Sequence, residues 1–266
     1  MALPVILSIA GYDPSSGAGI TADVKTAAVN GCFAVTCITA LTVQSTQGVR
    51  EVHPVSAELV KHTLADLQSD FEFAAVRIGM LGSGAVATVV AEFLESAKPK
   101  NVVLDPIVRS TSGADLVDAK GTQQLRERLV KLVDVITPNI EEAAALTGMT
   151  VTTTAEMRSA AARLHEMGAK NVVITGGHLS EAIDLLSLNG DVNSIEEFRS
   201  QMVNSRSTHG TGCAFATAVA SYLAVGRSLR QAVIEAKVYV REAIAKAYPM
   251  GKGIGPVNHL WRLEQR

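Results

Sequence analysis

The sequence predicts an α/β protein in which helices cover both faces of a largely parallel sheet. Short, continuously apolar runs that are rich in β-branched residues alternate with longer helical patterns along the chain. Such runs are typical of strands that are buried on both faces, and their alternation with helices indicates βαβ units. The chain has 266 residues, of which 47% are hydrophobic, so it can bury a large core. We therefore expect a three-layer α/β/α sandwich.

Six apolar runs are the predicted strands. In chain order they cover residues 5–10, 33–41, 74–79, 101–105, 134–137 and 171–175. Ser83 and Thr154 are candidate N-caps of the helices between them, and Gly31, Gly148 and Gly168 stand where helices end. The dipeptide Asn189-Gly190 predicts a tight turn, and hence an antiparallel hairpin at one edge of the sheet. The sequence contains no linker or repeat, so we expect one domain over residues 1–266.

Charge and composition exclude several classes of protein. The net charge is −2 and no basic stripe is present, so neither nucleic acid nor an anionic membrane is an expected partner. No apolar run reaches the roughly 20 residues of a membrane-spanning helix, and the first residues lack the basic start of a signal peptide. The three scattered cysteines suit a reducing compartment, so we expect a cytoplasmic protein. The histidines and cysteines show no metal-ligand spacing.

The stretch STHGTGC, residues 207–213, precedes a long helix of small apolar residues. Backbone N–H groups at a helix N-terminus attract anions, and glycines at 210 and 212 would let a ligand approach the backbone closely. These features would suit stabilisation of a phosphoryl group during transfer. Alternatively, the glycines form only a tight turn and Cys213 is a small buried residue. The stretch by itself fits both interpretations.

Acidic and amide side chains follow several predicted strands, where open parallel sheets bind their ligands. Asn139 and Glu142 stand three apart at a helix start, as a capping pair does, but the same spacing would aim both toward a ligand. There Glu142 could order the waters of Mg²⁺. Asp105 follows a strand directly and is the second candidate. Asp23 lies inside the first predicted helix, either in a solvated position or in the site.

Residues 17–22, GAGITA, match the glycine fingerprint of dinucleotide-binding proteins. That fingerprint also requires an acidic residue about 20 positions later, and no carboxylate occurs there before Glu51. A glycine-rich turn that shapes a pocket wall is the better interpretation. An NAD(P)-dependent oxidoreductase stays open only if a nicotinamide cofactor, and not Mg·ATP, stabilises the protein.

With these residues in view, the chain resembles the hydroxymethylpyrimidine/phosphomethylpyrimidine kinases of thiamine biosynthesis, in the ribokinase superfamily. The resemblance runs nearly end to end. The segments that carry it are SIAGYDPSSGAGITADVKT, ITALTVQSTQGV, RIGMLGS, NVVLDPIV, ITPNIEEAAALTG, GGH, THGTGCA and GKGIGPVNH. It implies a ribokinase-like sandwich with at most a minimal lid, ATP and Mg²⁺ as cosubstrate and cofactor, and a homodimer.

The resemblance also implies roles for individual residues. Gly210, Thr211 and Gly212 would form the anion-binding turn, and Cys213 stands where sugar kinases of the superfamily carry an aspartate base. Asn139 and Thr175 would lie on the nucleotide side, with Asp105 and Glu142 toward magnesium. The pyrimidine site would be lined by Gly11, Asp23, Gln44, Met80 and Ile107.

The chain departs from the family pattern at three positions. Thr175 replaces a common lysine, which puts a positive contact to the ATP phosphates in doubt. Ser16 replaces a common glycine, and Ala214 replaces a common Ser or Thr after the cysteine.

The sequence also leaves open two other functions: a pyridoxine-type vitamin kinase on the same fold and a non-catalytic ligand-binding protein.

Overall fold

The computed structural model describes residues 2–110, 113–177, 182–191 and 194–265. Within these ranges nine strands form one sheet in the order β3-β2-β1-β4-β5-β6-β7-β8-β9. The strands are β1 (Val5–Tyr12), β2 (Phe33–Ser45), β3 (Gly48–Pro54), β4 (Phe73–Ile78), β5 (Val102–Leu104), β6 (Val135–Ile136), β7 (Asn171–Gly176), β8 (Ala182–Leu188) and β9 (Glu196–Ser200). The six central strands, from β2 to β7 in the sheet order, are parallel.

Helices cover both faces of this sheet. They are α1 (Gly19–Val29), α2 (Ala57–Asp70), α3 (Gly84–Ala97), α4 (Ala119–Gln124), α5 (Val130–Leu132), α6 (Ile140–Thr147), α7 (Thr154–Glu166), α8 (Thr211–Ala224) and α9 (Leu229–Ala245). A π-helical turn, Leu125–Leu129, joins α4 to α5, and a 3-10 turn follows at Trp261–Gln265. The architecture is the predicted α/β/α sandwich.

Two apolar cores lie on opposite faces of the sheet. Helices α2, α3, α6 and α7 pack on one face, and α1, α8 and α9 pack on the other. Because successive side chains of a strand point to opposite faces, Leu7 of β1 enters the first core and Ile6 enters the second. This explains why the central strands are continuously apolar in sequence.

Both edges of the sheet are antiparallel, and the sequence predicts only one of them. The turn at Asn189-Gly190 has left-handed backbone at both residues and ends β8, which pairs antiparallel with β7 and β9. At the other edge, β2 continues to Ser45 and pairs antiparallel with β3. The predicted strand ends at residue 41, whereas residues 42–54 form a half-exposed hairpin.

The predicted helix ends are confirmed with one correction. The Ser83 hydroxyl accepts a hydrogen bond from Val86 N (3.3 Å), and Gly148 ends α6 in the left-handed conformation. The N-cap of α7 is Thr153 rather than Thr154. Its hydroxyl accepts from Glu156 N (3.2 Å), and the Glu156 carboxylate accepts from Thr153 N (2.9 Å) in return. This capping box selects Thr153 because glutamate stands three residues after it.

Candidate active site

A cavity of about 710 Å³ lies at the carboxyl ends of the parallel strands. Its wall combines residues that are far apart in sequence. The predicted site residues in the wall are Gly11, Gln44, Met80, Asp105, Ile107, Asn139, Glu142, Thr175, Gly210, Thr211, Gly212 and Cys213. Asp23 is the one predicted site residue that does not line it. Tertiary structure thus brings together the carboxyl ends of β1, β2, β4, β5, β6 and β7 and the start of α8.

The start of α8 presents unpaired backbone donors to the cavity. Gly210 is the N-cap with φ of +83°, and no side chain caps the helix. Among the described residues, none accepts a hydrogen bond from Gly212 N or Cys213 N. A Cβ at Gly212 would lie 3.9 Å from Asp105 Oδ1, at ordinary contact distance, so the turn faces that carboxylate. The arrangement is suited to an anion that lies over the turn.

The two glycines of this turn serve different purposes. A Cβ at Gly210 would overlap the carbonyl oxygen of Gly17 and lie 2.9 Å from its carbon, so Gly210 is required for packing. Gly212 has ordinary helical backbone, and the nearest atoms to a Cβ there are the Asp105 oxygens. The tight-turn interpretation therefore applies to Gly210. Gly212 leaves the amides open to a ligand.

Cys213 is a buried thiol with 7% of its surface exposed. Burial raises its pKa to about 12, and the nearby carboxylates of Asp105 and Asp23 act in the same direction. The Arg77 guanidinium and a hydrogen bond from the Gly19 backbone lower the pKa but do not compensate. Sequence alone left open whether the helix N-terminus would make this cysteine a thiolate. In the ligand-free protein the thiol form prevails.

A buried arginine, which the sequence analysis missed, links the two sides of the site. Arg77 of β4 has no exposed surface, and its Nη1 and Nη2 bond Asp23 Oδ2 (3.0 Å) and Asp105 Oδ2 (2.7 Å). The following Gly79 makes room, since a Cβ there would lie 2.6 Å from Arg77 Cζ. The signal in the sequence was an arginine inside an otherwise apolar strand. Such a residue needs buried carboxylate partners.

The position of Asp23 corrects our prediction that it contacts the pyrimidine. Its side chain is fully buried behind the cavity wall. Its two oxygens accept hydrogen bonds from Ser8 Oγ (2.6 Å), Thr217 Oγ1 (2.7 Å) and Arg77. The local pattern of a helix cannot identify the partner of one of its buried side chains. The sequence could not show that Asp23 faces an arginine from β4.

Asp105 and Glu142 form a pair of carboxyl groups with unfavourable electrostatics. Burial raises the pKa of Asp105 to about 6, against the opposing charge of Arg77. Burial also raises the pKa of Glu142 well above its ordinary value, and the charge of Asp105 adds to this shift. Both groups line the cavity. A cation between them would favour their ionised forms, so their chemistry fits a divalent metal ion.

Asn139 and Glu142 form the predicted capping box at the start of α6. Glu142 N donates to Asn139 Oδ1 (2.9 Å), and Asn139 N donates to Glu142 Oε2 (2.9 Å). Glu142 Oε1 takes no part in the box, and both residues line the cavity. The capping and ligand-side interpretations are therefore compatible.

Near Thr175, the cavity wall carries a cation that the sequence analysis did not identify. Lys237 of α9 bonds Asp184 Oδ2 (2.7 Å) and Ala182 O (3.1 Å), and it lines the cavity together with Thr175. Asp184 pairs with Thr175 across β7 and β8. The sequence signal was a lysine on the helix face that also carries Val233 and Val240, both of which are buried. His178, of the motif GGH, lies outside the described residues.

The opposite end of the cavity is largely apolar. Met80, Ile107 and Leu116 pack together there, with Gly11 against the Met80 sulfur and Gln44 beside them on the wall. A Cβ at Gly11 would lie 2.7 Å from that sulfur, so the glycine allows methionine to close this wall. A flat, apolar ring with a few polar substituents fits such an end.

A hydrogen-bond network that includes His209 orients Gln44. His209 Nε2 lies 2.8 Å from Asp13 Oδ2 and 3.2 Å from the Gln44 amide. Although burial works against it, hydrogen bonds from His209 and Ser15 lower the pKa of Asp13, so this carboxylate accepts the His209 proton. Gln44 Nε2 faces His209, and Gln44 Oε1 accepts a hydrogen bond from Thr42 Oγ1 (3.1 Å). These two contacts orient the Gln44 amide, which lines the cavity.

The glycines of the dinucleotide-like stretch are explained by packing. Gly19 has φ of +58°, and its Cα lies against the carbonyl of Gly11. Gly17 lies against His209, and a Cβ there would be 3.1 Å from Pro256 Cβ. Ala18 and Gly19 line the cavity. This is the pocket-wall interpretation of the stretch.

In the part of the chain that the structure describes, no group of three or more His, Cys, Asp or Glu side chains could hold a metal ion by direct ligation. No helix among these residues has the length and apolar character needed to cross a membrane.

Comparison with known proteins gives concordant matches. Residues 13–258 match the model of the phosphomethylpyrimidine kinase family. The chain is 38% identical to a hydroxymethylpyrimidine/phosphomethylpyrimidine kinase of Haemophilus influenzae over 265 residues, which covers 96% of each chain. It is 42% identical to a thiamine biosynthesis bifunctional protein of Geobacter sulfurreducens, covering 97% of this chain and 53% of that protein. The chain thus spans about half the length of that bifunctional relative.

The fold is also similar to that of a second kind of vitamin kinase. A crystal structure of Bacillus subtilis pyridoxal kinase in complex with ADP superposes with a TM-score of 0.89 at 33% identity. The superposition covers 98% of this chain and 100% of that one.

Proposed function

The chain belongs to the phosphomethylpyrimidine kinase family, and we propose that it phosphorylates 4-amino-5-hydroxymethyl-2-methylpyrimidine and then its monophosphate. The phosphoryl donor is ATP, and the diphosphate product serves thiamine biosynthesis. One observation carries the proposal. The open amides of Gly212 and Cys213 line the same cavity as an apolar group of side chains, suited to a pyrimidine, and a polar group, suited to a nucleotide.

In the proposed reaction the hydroxymethyl oxygen attacks the γ-phosphorus in line as the bond to ADP breaks. The backbone N–H groups at the start of α8 hold the negative charge of the transferring group. Phosphoryl transfer passes through a loose transition state, so positioning and electrostatic stabilisation supply most of the catalysis. In the second reaction the attacking atom is an oxygen of the monophosphate.

Cys213 takes part as a polar group beside the attacking oxygen. Because burial holds its pKa near 12, the ligand-free enzyme carries a thiol that cannot accept a proton. The S–H group can still orient the hydroxymethyl oxygen. A cation bound near Asp105 would offset the negative charge of that carboxylate, and this would lower the pKa of the Cys213 thiol. The Cys213 variants described in the Discussion separate the two roles.

Magnesium would supply charge neutralisation on the transferring phosphate. Asp105 and Glu142 would hold it, in part through water, because both line the polar end and both are destabilised as buried anions. Arg77 keeps Asp105 in place through a 2.7 Å ion pair. Asn139 and Thr175 would contact the nucleotide, and Lys237 offers the positive charge that Thr175 lacks.

At the apolar end, Gln44 would donate a hydrogen bond to a ring nitrogen of the aminopyrimidine, with its amide oriented by His209. Met80 and Ile107 would lie against the ring face, and Gly11 would leave room for it. A site built on hydrogen bonds discriminates strongly against analogues that lack the matching group.

The decisive experiment is a phosphoryl-transfer assay with Mg·ATP and three acceptors in parallel: hydroxymethylpyrimidine, its monophosphate and pyridoxine. We expect turnover with both pyrimidines. If no acceptor is turned over although the acceptors raise the melting temperature of the protein, the chain is a non-catalytic binding protein. Stabilisation by a nicotinamide cofactor and not by Mg·ATP would indicate the oxidoreductase alternative.

A pyridoxine-type kinase is the second candidate, and the similarity to the pyridoxal kinase fold favours it. The apolar end of the cavity would accept a pyridine ring as well as a pyrimidine. A kcat/KM for pyridoxine above that for hydroxymethylpyrimidine would support this candidate over the first.

We also propose that the protein acts in the cytoplasm as a homodimer of single-domain chains. Symmetric dimers are the commonest oligomers, and the family expectation agrees. Light scattering of the purified protein tests the dimer. Limited proteolysis that yields two stable fragments would contradict the single domain.

A further inference from the structure

The segment GKGIGPVNH, residues 251–259, follows the last long helix and has no role in the reaction described above. Its second half, residues 255–259, is called here the C-terminal brace. The brace pairs with the residue that leads into the anion-binding turn. His209 N donates to Gly255 O (3.0 Å), and Val257 N donates to His209 O (3.1 Å). One side of the turn is therefore fixed to the brace by backbone hydrogen bonds.

His259, at the end of the brace, contacts the loop between β1 and α1. Its Nε2 lies 2.9 Å from Gly17 O, and its Nδ1 lies 3.3 Å from Thr26 Oγ1. A carbonyl oxygen can only accept, so Nε2 carries the proton and Nδ1 accepts from the Thr26 hydroxyl. The ring is 3% exposed, and burial lowers its pKa to about 4, so it is neutral. Its tautomer is thereby defined by two partners.

The carbonyl that His259 holds is the one against which the anion-binding turn packs. A Cβ at Gly210 would overlap Gly17 O, so the Gly210 Cα rests directly on this peptide. The His209 ring and Pro256 contact the Gly17 Cα from other sides. Rotation of the Gly17 peptide would displace Gly210, and with it the open amides that follow. It would also move Gly19, whose backbone bonds the Cys213 thiol.

We propose that His259 is a positioning residue of the phosphoryl-transfer site, which acts by holding the Gly17 carbonyl under the turn at Gly210. The inference rests on the proposed kinase function. Its effect falls on the transition state, because the amides of Gly212 and Cys213 must meet the transferring phosphoryl group within a fraction of an ångström. Of the residues at the apolar end, Gln44 is coupled to this peptide through His209, whereas Met80 and Ile107 lie on another part of the wall, so substrate binding changes less than turnover.

The test compares three variants of His259 with a matched control. His259→Leu fills the space without a donor, His259→Gln keeps an N–H at similar reach, and His259→Asn carries an amide that is too short. The control is His165→Leu. His165 also bridges a carbonyl (Ala169 O, 2.7 Å) and a hydroxyl (Ser187 Oγ, 2.9 Å), but it lies outside the cavity wall.

We expect His259→Leu and His259→Asn to lower kcat at 25 °C by about tenfold or more, since loss of one oxyanion donor costs ~10²–10³ and displacement costs less. The KM for the pyrimidine should change less than about twofold, and His259→Gln should recover most of kcat. His165→Leu should lower the melting temperature and leave kcat unchanged. If His259→Leu does not fold, the Gln and Asn variants carry the comparison.

A readout that does not depend on turnover is hydrogen exchange of residues 207–214. It should accelerate in His259→Asn, recover in His259→Gln and stay normal in His165→Leu. Wild-type kcat in folded His259→Asn, or equal losses in Gln and Asn, would overturn the inference while the kinase function stands. A wild-type protein that phosphorylates no acceptor would instead refute the proposed function.

Discussion

Substitution of Gly212 separates an anion-binding turn from a merely structural one. In Gly212→Val, the new Cβ would lie 3.9 Å from Asp105 Oδ1, at ordinary contact distance, and the backbone needs no left-handed conformation. Valine and glycine also differ by only about 0.5 kcal/mol in helix propensity. We therefore expect the melting temperature to stay within about 2 °C of wild type.

The same side chain would occupy the space over the open amides. Loss of one donor of this kind costs ~10²–10³ in kcat, equivalent to about 3–4 kcal/mol of transition-state stabilisation. We expect Gly212→Val to lose at least that factor in a coupled ADP-release assay with hydroxymethylpyrimidine. Turnover near the wild-type level in a folded Gly212→Val protein would refute the anion-binding interpretation.

Gly210→Ala is the matched control, because its effect should fall on stability first. Its φ of +83° costs a non-glycine residue roughly 1–2 kcal/mol, and overlap with the Gly17 carbonyl adds about 1–3 kcal/mol. Together these predict a melting temperature lower by about 5–15 °C. A Gly210→Ala protein as stable as Gly212→Val would show that the packing argument is wrong.

Four further predictions concern other parts of the site. Cys213→Ala should lose most of kcat with substrate KM values retained. Cys213→Asp should keep partial activity, with the acidic limb of the pH–rate profile shifted to lower pH. Wild-type kcat in the alanine variant would leave the cysteine a packing role only. Gln44→Ala should raise the KM for the pyrimidine much more than that for ATP, and equal changes would place Gln44 outside the substrate site. Asp23→Asn should lower the melting temperature by several degrees, because Asp23 bonds a buried arginine. The KM for the pyrimidine should stay nearly unchanged, and a selective rise in that KM would place Asp23 in the substrate site. Burial lowers the pKa of His259 from 6.5 to about 4, so between these pH values the unfolded chain binds a proton that the folded protein does not. The free energy of unfolding, measured in urea, should therefore fall by about 3 kcal/mol as the pH falls through this window. His259→Gln should lose less over the same range, and parallel losses would contradict the assignment.

The sequence by itself determined the layered architecture and the general place of the chemistry. Apolar runs of a few β-branched residues have few alternatives to buried parallel strands, so the six predicted strands correspond to β1, β2 and β4 to β7. The glycine turn before α8 and the capping pair of Asn139 and Glu142 are local features, and their geometry follows from neighbouring residues. That is why the residues alone predicted a turn and a cap there but left a ligand-binding role open, and the family resemblance was needed to propose one.

Only the tertiary structure decided which side chains face each other across elements. Asp23 and Arg77 are 54 positions apart, and nothing in either local pattern shows that α1 places a carboxylate against β4. His259 and Gly17 are separated by 242 positions, so their contact exists only after the chain end returns to the first loop. The pKa of Cys213 depends on the same long-range packing, because burial of the thiol outweighs the local effect of the helix N-terminus.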